Sequence, residues 1–234
     1  MPEEREVKIK EIIQRTHNVK SFRLEVDEKA GFKAGQFMSV SFDGSKELTR
    51  YLSISNSPTE KGYLECTKKI TGSEFSKKLN SAKVGDILKI KYPLGNFTLQ
   101  ESFKKVTFLS GGIGITPIRS MVKNAVDERK DIDIILIYGN HSAKDIAFKD
   151  DFEAIQKESS AFKVVHVLCE SEQEWRCKIG HIDAGVIKEE VSDYSERTFY
   201  LCGPPGMVEA MKRILLDELA VAKENIITEN FAGY

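Results

Sequence analysis

KVTFLSGGIGITP, residues 105–117, is the stretch from which the architecture is read. An apolar run ends on glycines, and Thr116 and Pro117 are then placed to cap and to open a helix. A helix starting there turns its free amides toward the loop, so the loop suits an anion, and a pyrophosphate is its natural guest. As a dinucleotide fingerprint the stretch is imperfect. Pro117 stands in the third glycine's place, and no acid follows at the expected distance of about 20 residues. Read alone, the motif also fits a plain strand-to-helix turn.

Downstream, strand and helix alternate. DIDIILIYGN (131–140) precedes a helix from about Asp145, and FKVVHVLCE (162–170) precedes one from Asp183. RTFYLCGPP (197–205) runs into PGMVEAMKRILLDEL (205–219), and ENIITENF (224–231) closes the chain. The expectation is an α/β doubly wound parallel sheet whose ligand sits at the carboxyl ends of the strands, where SGGIG, GNHSA and CGPPG fall.

Upstream the rhythm is different. SFRLEV (21–26), FMSVSF (37–42), YLSISN (51–56), YLECTKKI (63–70) and ILKIKYPLG (87–95) read as short strands separated by turn residues. A single helix interrupts them, with Ser73 as its cap and Phe75 and Leu79 facing a core. Some six antiparallel strands in that length hide their edges most simply by closing into a small barrel. The boundary falls near residues 99–104, which divides the chain into 1–101 and 102–234.

Composition excludes several classes. Lys plus Arg number 35 against 36 Asp plus Glu, which leaves no positive surplus for a nucleic-acid backbone. The longest apolar runs, near Ile132–Tyr138 and Lys163–Cys169, fall short of the ~20 residues of a membrane span. MPEEREVKIK is charged where a signal peptide is apolar, so a cytoplasmic location is expected. Cys66, Cys169, Cys177 and Cys202 form no CxxC pair, which argues for free thiols and against zinc or an iron–sulfur cluster.

Two further motifs stand out. Cys202-Gly203-Pro204-Pro205-Gly206-Met207 leaves an apolar strand before an amphipathic helix, and reads either as turn chemistry or as a contact to a ligand's reactive ring. In Arg50-Tyr51-Leu52-Ser53-Ile54-Ser55-Asn56, alternation sends Arg50, Leu52 and Ile54 to one face and Tyr51, Ser53 and Ser55 to the other.

Taken with AGQF (34–37), RYLS (50–53), GSEFSKKL (72–79), VGD (84–86), PLGNF (93–97), GGIGITP (111–117), YGN (138–140) and CGPPGM (202–207), the chain resembles the ferredoxin–NADP reductase superfamily over nearly its whole length. That resemblance implies an antiparallel six-stranded Greek-key β-barrel holding FAD, with FMN the lesser option, followed by an α/β domain holding NADH or NADPH. It implies that Arg50 meets the flavin phosphates, that Ser53 neighbours flavin N5, and that Gly72, Ser73 and Ser76 present a helix N-terminus to the same phosphates. Tyr51, Leu52, Thr67 and Lys68 join them around the flavin. Gly112, Gly114, Pro117, Asn140, Gly203, Pro204 and Met207 contact the nucleotide, with Thr116 near the nicotinamide and Cys202 near its reacting carbon. Leu52 departs from the family's usual Tyr, so an aromatic contact is missing or supplied elsewhere. Phe231 or Tyr234 resembles the terminal aromatic that covers the flavin in several members, and Glu229 is a candidate proton relay with Ser53 and Cys202. Where relatives that use NADPH carry Ser-Arg, this chain has Cys169-Glu170, with Glu172 and Glu174 beyond. A carboxylate there repels a 2′-phosphate, which favours NADH, while His141 and Lys144 keep NADPH open.

The implied activity is hydride transfer from NAD(P)H to FAD, then release of single electrons to a ferredoxin, a flavodoxin or an oxygenase component. Eight lysines (61, 68, 69, 77, 78, 83, 89, 91) against three acids in residues 61–91 suit an acidic electron-carrier protein. Reduction of free flavin, or service as a subunit of a larger redox complex, are the alternatives. Catalytic expectations rest on Ser53, Cys202 and Glu229.

Overall fold

The computed structural model describes residues 2–42, 44–170 and 178–230. Its first sheet opens with β1 (Glu3–Thr16), the longest strand and one absent from the sequence expectation. Glu4, Glu6, Lys8 and Lys10 outnumber the apolar residues between them, while Val7 and Ile9 are buried in the core and Ile12 packs partly against it. That is alternation with a heavily charged outer face. The remaining strands are β2 (Val19–Glu25), β3 (Phe37–Ser41), β4 (Thr49–Ser53), β5 (Tyr63–Lys69) and, after helix α1 (Glu74–Ser81), β6 (Ile87–Leu94).

Their order is β4-β3-β6-β1-β2-β5, and every pairing is antiparallel. Register shifts at Ile9/Glu11 and Gln14/Thr16 let β1 bend while it serves two neighbours. The two edge strands meet through the Ile54–Cys66 bridge and the Ser55 amide donating to the Glu65 carbonyl at 2.8 Å, which closes the barrel. Its core includes Phe22, Leu24, Met38, Val40, Leu64 and Leu88. Phe75 and Leu79 of α1 pack into the same core, each contributing about 1.5–3 kcal/mol by leaving water.

The second sheet comprises β7 (Lys105–Gly111), β8 (Asp133–Asn140), β9 (Phe162–Leu168), β10 (Lys178–Ile179), β11 (Thr198–Gly203) and β12 (Ile226–Asn230). It is wholly parallel, in the order β10-β9-β8-β7-β11-β12. The first strand in sequence, β7, therefore has β8 on one side and β11 on the other, and the loop after it lies at the topological switch point. β10 is only two residues long, too short for a periodicity to show.

The helices are α2 (Ile115–Asp127), α3 (Lys149–Glu158), α4 (Ala184–Glu190) and α5 (Pro205–Arg213). Two begin elsewhere than expected. A 3-10 turn at Gly112–Gly114 leads straight into α2, so Thr116 lies inside the first helical turn and is not its cap. Pro117 is tolerated there because the amide it lacks has no helical partner in a first turn. Asp145 does not start α3. It closes a separate 3-10 turn by accepting from the Ser142 amide at 3.1 Å, and Phe148 at φ 60° breaks the chain before Lys149. Helix α4 begins next to Asp183, where a helix is expected, and Asp183 caps it by accepting from the Val186 amide at 2.8 Å.

Two compact units result, Met1–Leu99 with Thr116–Glu128, and Gln100–Ile115 with Arg129–Tyr234. Helix α2 thus packs with the barrel although it follows the first strand of the parallel sheet.

Candidate functional site: a phosphate cradle and a glycine-lined strand end

In the barrel unit, β4 carries the RYLS residues. Leu52 and Ile54 turn inward to the core, as alternation requires, while Tyr51 is 66% exposed and stands edge-on to Phe37 at 5.8 Å. Arg50 lies over the Phe75 ring at 5.5 Å and donates to the carbonyls of Glu47 and Thr49 at 3.0 and 2.7 Å. No described carboxylate pairs with it. Lys68 is buried, and burial together with the Arg50 charge holds its ammonium below the ordinary lysine value. Two mutually repelling cations therefore share one neighbourhood, which an anion would relieve.

Helix α1 adds a third contribution. Ser73 accepts from the Ser76 amide at 3.3 Å, the Ser76 and Thr71 hydroxyls meet at 3.0 Å, and a Cβ at Gly72 would meet nothing within 4 Å. An open helix N-terminus beside two cations is the donor set of a phosphate group, so these residues fit a flavin's pyrophosphate.

Ser53 and Ser55 divide their roles. The Ser55 hydroxyl donates to Glu65 Oε1 at 2.9 Å and meets Thr67 Oγ1 at 2.9 Å. The Ser53 hydroxyl, buried in the same strand, bonds no described residue and is available to a bound ring. Thr67 faces away from Lys68, its hydroxyl shared between Ser55 and Ser21, so its side chain belongs to a structural network and not to a phosphate site. At the centre of that network is Glu65, 1% exposed, which accepts from Arg15 at 3.1 Å and Arg23 at 3.0 Å. Sequence reasoning missed this buried cluster because its members lie far apart along the chain.

In the parallel-sheet unit, the ends of β7 and β11 press together. A Cβ at Gly114 would lie 2.4 Å from the Cys202 carbonyl oxygen, and one at Gly203 would lie 3.1 Å from the Gly111 amide nitrogen. Met207 and Pro204 border Gly111. Gly112, at φ +52°, leaves open space where a side chain would stand, and its carbonyl accepts from the Tyr138 hydroxyl at 2.9 Å. Backbone bare of side chains at the switch point is what a dinucleotide's pyrophosphate requires.

Cys202 is fully buried. Burial, reinforced by the Glu229 charge, pushes its thiol well above the ordinary value, so it is a neutral S–H and not a thiolate. Glu229 on β12 stands in register with it, and burial raises that carboxyl as well. The structure thus brings two of the three expected catalytic residues together, and Ser53 belongs to the barrel unit.

At the ends of β8 and β9, the Glu170 amide donates to the His141 carbonyl at 3.0 Å, and His141 Nε2 lies 2.9 Å from Glu170 Oε1. The Cys169 amide donates to the Asn140 carbonyl at 3.2 Å, which holds the two ends together. Glu172, Glu174, Cys177, Phe231 and Tyr234 lie outside the described residues. Among the described residues no three His, Cys, Asp or Glu converge to hold a metal, and no helix is long and apolar enough to cross a membrane.

Comparison with known proteins names the two halves of the chain. Residues 6–99 match the oxidoreductase FAD-binding domain and residues 108–213 the oxidoreductase NAD-binding domain. NADH-cytochrome b5 reductase 1 of Eremothecium gossypii is 32% identical over 215 residues, covering 85% of this chain and 74% of that protein. The chain belongs to the ferredoxin–NADP reductase superfamily.

This reductase is also 30% identical to the glycine betaine monooxygenase reductase subunit of Pseudomonas aeruginosa, over 89% of its own length and 59% of that subunit's. Among solved structures, the ferredoxin reductase in carbazole 1,9a-dioxygenase superposes with a TM-score of 0.85 at 26% identity, covering 99% of this chain and 70% of that one. The cytochrome b5 reductase domain of Ulva prolifera nitrate reductase shares the fold at a TM-score of 0.85 and 22% identity, over 97% of both chains. The protein is an NAD(P)H-dependent FAD oxidoreductase of the ferredoxin reductase and cytochrome b5 reductase type.

Proposed function

We propose that this reductase takes hydride from NADH and delivers the electrons singly to an acidic carrier protein or an oxygenase component. When bound, FAD supplies the conversion from a two-electron donor to one-electron delivery. The chain's own residues bind and orient. Arg50, Lys68 and the α1 N-terminus hold the flavin's phosphates, and the Ser53 hydroxyl supports the ring at N5. The glycine loop after β7 takes the pyrophosphate of NADH, while Thr116 and the neutral Cys202 thiol border the nicotinamide.

Glu170 carries the choice of donor. Its exposed carboxylate at the end of β9 accepts hydrogen bonds from ribose hydroxyls and repels a 2′-phosphate. The name of the Eremothecium relative, an NADH enzyme, points the same way.

For the acceptor, the lysines of residues 61–91 carry the argument once three are set aside. Lys68 is buried, Lys77 pairs with Glu74 at 2.7 Å, and Lys89 pairs with Glu6 at 3.7 Å. Lys61, Lys69, Lys78, Lys83 and Lys91 have no ion pair among the described residues and are free to meet acidic groups. The name of the monooxygenase reductase subunit makes an oxygenase component a natural acceptor.

The deciding experiment is an absorbance spectrum of the purified protein followed by anaerobic titration with NADH and NADPH. A bound yellow chromophore bleached by NADH at the lower concentration is expected. A colourless protein that reduces added flavin overturns the bound-FAD reading, and preferential bleaching by NADPH overturns the choice of donor.

A further inference from the structure

Helix α2 is fastened along its length to the loop that follows β4. Arg119, 5% exposed, grips Glu60 with both ends of its guanidinium, Nη2 to Oε1 at 3.0 Å and Nη1 to Oε2. The same Nη1 donates to the Ser55 carbonyl at 3.3 Å. One residue on, the Ser120 hydroxyl donates to the Asn56 carbonyl at 2.6 Å. Near the helix's other end, the Thr59 hydroxyl donates to Asp127, which also pairs with Lys123.

The loop side is equally tied. Glu60 Oε2 accepts from the Ser57 amide at 2.6 Å. The Asn56 side chain donates to the carbonyls of Glu60 and Tyr63 and accepts from the Glu65 amide at 2.8 Å. Burial alone would raise the Glu60 carboxyl, but the Arg119 hydrogen bond and charge hold it below the usual range, so the pair is ionic at neutral pH.

Position gives this pair its meaning. Arg119 follows Thr116 by one helical turn, and Ser55, whose carbonyl it holds, follows Ser53 by two residues. A buried two-pronged ion pair adds little net stability over apolar packing, but it fixes geometry in a way that apolar contacts do not.

We infer that Arg119 and Glu60 are positioning residues for hydride transfer, fixing the first turn of α2, with Thr116, against the end of β4, with Ser53. The inference rests on the proposed reading in which Thr116 borders the nicotinamide and Ser53 the flavin. Arg119 and Glu60 are engaged with each other, with the Ser55 carbonyl and with the Ser57 amide, so they act through the segments they join.

The test uses Glu60→Gln, Arg119→Met and the double variant, in the full chain loaded with FAD. Breaking one side of a buried pair can unfold a protein, whereas the double variant removes both charges and retains the packing. Four quantities are read: FAD content, NAD+ affinity by titration calorimetry, the long-wavelength absorbance of the nicotinamide–flavin pair on mixing, and the bleaching rate constant at saturating NADH. FAD content and NAD+ affinity should stay within about twofold of wild type. The bleaching rate constant should fall about tenfold or more, with a weakened long-wavelength band, since small misplacements of reacting groups are costly in rate. The double variant should lose no more than the worse single one, because the two residues act as a unit.

A folded, FAD-loaded double variant that bleaches at the wild-type rate overturns the inference, as does a loss of rate restored by raising NADH. If NADH fails to bleach the wild-type protein, the proposed function falls, and this inference with it.

Discussion

At the residue scale, what distinguishes a working hydroxyl or thiol from a structural one is whether a protein partner already holds it. Ser55 is engaged with Glu65 and Thr67, and Ser53 is not. Ser53→Ala should therefore leave FAD bound and the fold intact while slowing flavin reduction about five- to tenfold, the worth of one net hydrogen bond of ~1–1.5 kcal/mol. Stopped-flow bleaching by NADH measures this, and an unchanged rate removes Ser53 from the chemistry. Cys202→Ala should likewise slow reduction with flavin retained. Because burial and Glu229 keep that thiol protonated, the wild-type protein should also resist iodoacetamide at Cys202 near neutral pH. Rapid alkylation at that position, read by peptide mass, contradicts the neutral-thiol assignment.

At the element scale, what was legible followed from periodicity, and what was not depended on distant partners. The alternation in Arg50–Ser55 places Leu52 and Ile54 on one face, the one that meets the core, and Ser73 caps α1 as its sequence suggests, because both are local properties. Strand β1 is not legible in the sequence because Glu4, Glu6, Lys8 and Lys10 mask the inward positions Val7 and Ile9, and its partners β2 and β6 lie elsewhere along the chain. The start of α2 lies earlier than Thr116 and Pro117 suggest as a cap-like pair, because Gly112–Gly114 already turn. The reason for glycine at 114 is equally invisible in sequence, since the obstacle is the carbonyl of Cys202 on another strand. Gly114→Ala forces a Cβ to within 2.4 Å of that carbonyl, so β7 and β11 must separate at their tips. A loss of about 1–3 kcal/mol in urea unfolding is expected, together with weakened NADH binding. Wild-type stability in this variant would show that the contact yields freely.

Across the whole molecule, two charge distributions govern behaviour in solution. His166 on β9 is pushed down to about 4, chiefly by burial and then by the Lys149 charge. Its folded value lies below the unfolded value of about 6.5, so between those limits the unfolded chain binds more protons. Stability should therefore decline as pH falls from about 6.5 to 4, by up to ~1.4 kcal/mol per pH unit from this group. His166→Gln removes that slope, and the difference between wild-type and variant urea midpoints at pH 7 and pH 5 isolates it from every other titration. Equal pH dependence in the two proteins refutes the assignment.

The second distribution concerns the partner and persists at neutral pH. A net charge of −1 gives the chain no general attraction for an acidic protein. Any attraction must come from local groups, and within residues 61–91 Lys61, Lys69, Lys78, Lys83 and Lys91 are those without an ion pair among the described residues. Surface charges lose their reach once separation exceeds the screening length, about 30 Å at 0.01 M salt and about 8 Å at 0.15 M. Bleaching by NADH, a small-molecule step within the protein, should change little with salt. Electron delivery to an acidic carrier should slow steeply, and replacing Lys78 and Lys83 by Gln should flatten that dependence while leaving bleaching unaltered. Parallel salt series for the two half-reactions separate the effects, and identical slopes would place the acceptor's docking elsewhere on the surface.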